Sequence, residues 1–177
     1  MKSTFKGFSE KMLWFFRELR ENNDRDWFEA HKDVFLEHVK APMEELTACV
    51  MAEVSRFAPE HAGEPKKAIF RLYRDTRFSN DKTPYKTHTG ALLRRADLPK
   101  NESAGFYFAV SDKCVEVAGG SYMAGPEQMR LVREHIAANA KQFEKLATNR
   151  TVVAATSPLE GQKLSRPPKG LSPILFT

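Results

Sequence analysis

The hydrophobic period of this chain changes twice along its length, and that change limits the folds open to it. From residue 9 to residue 58 apolar side chains recur every three or four positions. Between 68 and 120 short alternating runs replace them, and from 125 the helical spacing returns. A 3.6-residue period marks amphipathic helix and a period of two marks a half-buried strand. Helices, then an antiparallel sheet, then helices again is the α+β pattern and not the alternation of a parallel sheet.

The first stretch resolves into three helical segments. Ser9 is placed to cap a helix carrying Met12, Leu13, Phe15, Phe16 and Leu19. Asn22-Asn23-Asp24 reads as a turn and cap, after which Trp27, Phe28, His31, Val34, Phe35 and Val39 continue the period. Pro42 suits the first position of a further helix, with Glu44 and Glu45 in its opening turn and Met43, Leu46, Val50, Val54 and Phe57 facing inward. A connector follows at 59–65, then a strand is predicted over 68–73, an ordered loop over 74–84 and extended chain over 87–93. Segments 105–111 and 114–120 predict a hairpin turning at Asp112-Lys113, with Phe106, Phe108 and Val110 on one face. Helices are predicted from Gly125-Pro126-Glu127 and over 140–147. The last 27 residues, 151–177, carry Pro158, Pro167, Pro168, Gly170 and Pro173 and read as an irregular tail. The expectation is one domain over 1–177: an N-terminal helical layer on a mainly antiparallel sheet, with further helices behind the hairpin.

A chain of 177 residues with thirteen Phe, four Tyr and two Trp can bury a core without disulfides or metal. Cys49 and Cys114 lie far apart, with no CxxC pattern and no Cys/His cluster. A reducing, cytoplasmic location is therefore expected, with neither a structural metal nor a cofactor. The run Met12-Leu13-Trp14-Phe15-Phe16 is closed off by Arg17, so it is too short for a signal peptide or a membrane span. No phosphate-binding glycine loop, dinucleotide fingerprint or nucleophile elbow is present.

Charge is distributed unevenly. Of 28 basic and 23 acidic residues, ten and three lie between Lys66 and Lys100, so that segment carries +7 and the rest of the chain −2. Its densest part is FRLYRDTRFSNDKTPYKTH, residues 70–88. Guanidinium groups offer forked donors that suit phosphate or carboxylate, and several in one loop repel each other unless an anion lies between them. Arg71, Arg74, Arg77, Lys82, Tyr85 and Lys86 are accordingly the candidate ligand-binding residues, facing a phosphorylated or otherwise anionic small molecule. Asp75, Asp81 and His88 are the candidates for acid–base work. Ser79-Asn80-Asp81 and Thr83-Pro84 supply turn chemistry that would hold the loop in place before a ligand arrives.

Other uses of this segment remain open. Arg–Asp pairs within it would lock the loop as pure structure. Phe70, Tyr73, Phe78 and Tyr85, interleaved with cations, would suit a nucleic-acid-binding module, and the same surface would suit a non-catalytic protein that docks an acidic partner. No membrane partner is expected.

Arg74-Asp-Thr-Arg-Phe-Ser79 and Asp81-Lys-Thr-Pro-Tyr-Lys86 at this spacing resemble the signature of the family known as domain of unknown function 2461. Asn22-Asn23 before Trp27-Phe28, Pro42, Gly119-Gly120, Arg133 and the Pro167-Pro168-Lys169-Gly170 element agree with it. The resemblance implies a small cytoplasmic α+β protein and brings no reaction with it. Two departures stand out: no Trp lies near Pro126, and 171–177 do not resemble the continuation that relatives carry, which implies a missing or replaced C-terminal part.

Overall fold

In the computed structural model, residues 5–95, 97–98 and 103–156 are described. The chain divides into two compact units, Met1–Tyr122 and Met123–Thr177.

In the first unit, Met12, Phe15, Phe16 and Leu19 form the buried stripe of α1 (Glu10–Glu21). Ser9 occupies the cap position without a side-chain cap bond. The second cap is made as expected: the Asp24 carboxylate accepts from the Trp27 amide at 2.8 Å and starts α2 (Arg25–Ala30). From there α3 (Lys32–Phe35), a π-helical segment (Leu36–Lys40) and α4 (Ala41–Val54) follow one another without a break. Pro42 therefore does not begin a separate helix. It lacks an N–H and its ring crowds the carbonyl four residues back, and the widened π turn just before it makes room for that ring.

The sheet has three antiparallel strands in the order β1 (Thr89–Arg94), β2 (Gly105–Val110), β3 (Val115–Gly120). Leu92 is paired with Tyr107 and Tyr107 with Ala118, while Gly105 is paired with Gly120. The hairpin closes where the Ser111 amide donates to the Cys114 carbonyl at 3.0 Å. Alternation then sorts the sheet into two faces. One carries Ala91, Leu93, Phe108 and Val110, which pack with Met43, Met51 and Val54 of α4 and with the aromatic cluster of α1 and α2. Each such large apolar side chain contributes roughly 1.5–3 kcal/mol when fully buried. The other face carries Gly90, Leu92, Tyr107 and Ala118 and lies away from the helical layer.

The strand expected over 68–73 is not formed. A single helical turn, α5 (Pro65–Ala68), comes first, and beyond it only isolated bridges join Ile69 to Ala91 and Tyr73 to Tyr85. Pro65 at the head of that turn commits the backbone to helix, so too few residues are left for a regular ladder. The alternation survives all the same: Leu72 is buried, while Arg71 and Tyr73 are exposed.

The second unit holds α6 (Pro126–Ala138), α7 (Ala140–Ala147) and α8 (Arg150–Thr156). The irregular tail expected from 151 is corrected over its first residues. The Asn149 side-chain Oδ1 accepts from the amides of Thr151 and Val152 and starts α8, whose β-branched residues disguised it as non-helical. The remainder of that tail lies outside the described residues.

The architecture is α+β. Among the described residues no helix is long and apolar enough to cross a membrane.

Candidate functional site

The basic segment folds as two carboxylate-centred turns followed by a run beside β1. The Arg77 guanidinium closes on Asp75 of its own turn, with Nε to Oδ1 at 3.0 Å and Nη2 to Oδ2 at 2.7 Å. That hydrogen bond, with help from the Arg77 amide, holds the Asp75 carboxyl down at about 2. Asp81 accepts from the Thr83 amide at 2.9 Å, from the Thr83 hydroxyl and from Arg74, and it too is held at about 2, the Thr83 amide first among the causes. Lys82 donates to the Thr76 carbonyl at 2.9 Å. Arg71 is exposed, and its guanidinium makes no hydrogen bond or ion pair among the described residues. The loop tip leaves Phe78 95% exposed, with the Arg77 guanidinium 5.7 Å from its ring centre.

These contacts sort the candidates. Asp75 and Asp81 are permanently ionised anchors near neutral pH, each already holding an arginine. Tyr85 is part of the core: its ring stacks on Phe28 at 4.3 Å, and burial, together with a hydrogen bond to Tyr73, pushes its hydroxyl up to about 12. Phe70, Lys86 and His88 line the larger cavity.

That cavity is an open cleft of about 550 Å³ on the sheet face turned away from the helices. Phe70, Leu92 and Tyr107 form its apolar side, and Ala118, Gly119 and Gly120 of β3 lie across from them. Lys86 crosses the Phe70 ring at 5.2 Å from its centre and donates to the Arg71 carbonyl at 3.2 Å. An ammonium has three donors on one charge, so one bond to a carbonyl does not use up its donors. Among the described residues the lining contains no aspartate and no glutamate. His88 lies between this cleft and a smaller one of about 230 Å³ that Arg20, Ser111 and Glu116 help to line. Burial and the Lys86 charge press its imidazole below the usual histidine range, and Glu116 works against them. Among the described residues no three metal-ligating side chains come together.

Tyr107 and Ala118 escaped the sequence reading although a signal for them existed. If Phe106 and Phe108 face the core, Tyr107 must face the other way, and its register partners with it.

Fold and site together define an α+β protein with a lysine-edged cleft on the uncovered face of a three-stranded sheet. The chain belongs to the family described as Conserved hypothetical protein (DUF2461), whose model matches residues 11–174. The match includes residues 171–174, so the departure from the family expected after residue 170 does not stand. No curated protein and no solved structure matches the chain.

Proposed function

We propose that this protein binds an anionic small molecule in the cleft beside Lys86 and His88, within a reducing cytoplasm. One observation carries the reading: the cleft of about 550 Å³ is edged by Lys86, and among the described residues no carboxylate lines it. Glu116, whose charge reaches His88 and Tyr107, lines the smaller cleft beside it. Its volume lies within the range of about 300–1,000 Å³ in which small-molecule sites fall. The charge that favours the anion comes from the same basic segment whose composition stands out in the sequence. Within it Lys86, and not the Arg74 and Arg77 clamp, faces the ligand.

The test is thermal unfolding with a panel of organic carboxylates and phosphates, each paired with a neutral analogue. A ligand present at a hundred times its Kd adds about 2.7 kcal/mol to stability. The anions should raise Tm, their neutral analogues should do so less, and Lys86→Gln should remove the difference. An Arg74→Ala/Arg77→Ala variant should keep it. If no anion shifts Tm, the proposal fails. If oligonucleotides bind instead, with steep salt dependence lost in the double arginine variant, the basic loop is a nucleic-acid surface.

A further inference from the structure

The relief of the cleft narrows the class of ligand. On the uncovered sheet face Tyr107 and Leu92 each lie across a glycine of the neighbouring strand. A Cβ at Gly90 would stand 3.2 Å from the Tyr107 hydroxyl, and one at Gly105 would stand 3.0 Å from Leu92 Cδ1. Tyr107 thus folds down over β1 and Leu92 over β2, where any other residue would prop them up. Next to them β3 lines the cleft with Ala118, Gly119 and Gly120, with open space where a Gly120 side chain would be. The result is a low shelf and not a tube. The Phe70 ring stands beside it, 6.2 Å from Tyr107 centre to centre and tilted by 55°.

The chemistry of the lining excludes other flat ligands. Sugar sites favour carboxylates or side-chain amides against paired hydroxyls, and among the described residues the lining has no Asp, Glu, Asn or Gln. The Ser103 hydroxyl is already committed, donating to the Ala104 carbonyl at 2.8 Å and accepting from the Arg95 amide at 3.1 Å. An alkyl chain would leave the flat shelf half covered. A planar aromatic ring covers it fully and meets the Phe70 ring at a tilt that aromatic pairs favour.

We infer that the ligand is a planar aromatic ring bearing one anionic group, with the ring on the Tyr107–Ala118 shelf and the anion toward Lys86. This rests on the anion-binding reading above and adds the ring to it. Isothermal titration of the full chain with 2-naphthoate, octanoate and 2-naphthalenemethanol separates the two. Naphthoate should bind at least tenfold more tightly than octanoate and than the neutral alcohol. Ala118→Leu, on an exposed strand where extra bulk meets water and not core, should weaken naphthoate tenfold or more at unchanged Tm. Octanoate binding as tightly as naphthoate, or Ala118→Leu without effect, overturns the aromatic ligand and leaves the anion site standing. Naphthoate and the neutral alcohol binding equally overturns the role of Lys86 and, with it, both proposals.

Discussion

The side chain of Asn23 pairs with the main chain of Tyr85 in both directions, Nδ2 donating to the Tyr85 carbonyl and Oδ1 accepting from the Tyr85 amide, each at 3.0 Å. The amide side chain stands in for a neighbouring strand at a place where Tyr85 is 2% exposed. It ties the turn after α1 to the end of the basic segment. Asn23→Ala leaves a buried donor and acceptor unpaired and should cost about 1–3 kcal/mol in urea unfolding. Asn23→Asp should not rescue the loss, because a carboxylate cannot donate to the Tyr85 carbonyl. Wild-type stability in either variant would show that water replaces the amide.

Arg20 and Asp112 make a second long-range tie, with Nη2 to Oδ1 at 2.6 Å and Nη1 to Oδ2 at 3.0 Å, and the Asp112 side chain is 5% exposed. The Arg20 hydrogen bond lowers the Asp112 pKa. A carboxyl whose folded pKa is depressed contributes stability above its unfolded value, about 3.9, and loses it as pH falls through the folded value. Arg20→Ala should cost roughly 1.5–3 kcal/mol near neutral pH. The deficit against wild type should shrink below about pH 4, as Asp112 protonates in both proteins. Arg20→Lys should restore little, since an ammonium cannot form the two-pronged contact.

Carboxyl carbon NMR should find Asp75 and Asp81 both titrating at about 2. Arg77→Ala should release Asp75 toward the ordinary value near 3.9 and leave Asp81 unmoved, because Asp81 is held by Thr83 and Arg74 and not by Arg77. Since both values are depressed, these turns keep their ion pairs across the physiological range and loosen only as pH falls toward 2. Ordinary titration of either group would show that its arginine is turned to solvent.

The His88 imidazole should titrate below the usual histidine range by nitrogen-detected NMR. Burial is the larger cause and the Lys86 charge the next, so Lys86→Gln should raise the midpoint without restoring it fully. Glu116→Gln should lower it further, because that carboxylate favours the imidazolium. An unchanged midpoint in both variants would mean that burial alone sets it.

What the sequence made legible follows from how local each signal is. The α1 stripe, the Asp24 cap and the hairpin are written in spacing and turn residues within a few positions of one another. The continuity of α3 into α4 was hidden because Pro42 looks like a helix start whether or not a π turn precedes it. The site was half legible. Charge counting found the segment that supplies Lys86 and His88, but which cation faces a cavity depends on tertiary placement. Arg74 and Arg77 met aspartates seven and two positions away respectively, a pairing the sequence allowed without choosing it. The glycines under Tyr107 and Leu92 act across strands, and only the register brings them together.

One strand of the cleft is held differently from the rest. Among the described residues β3 has β2 as its only bonded neighbour in the sheet, and every residue in it is exposed, Val115 and Val117 at 68% and 82%. β1 and β2 are clamped from behind by the helical layer. Backbone amides of β3 should therefore trade their hydrogens for deuterium long before those of β1, since opening it uncovers little apolar surface. The pocket thus has one firm bank and one yielding bank, and its width follows the temperature and the guest more than a rigid scaffold would allow.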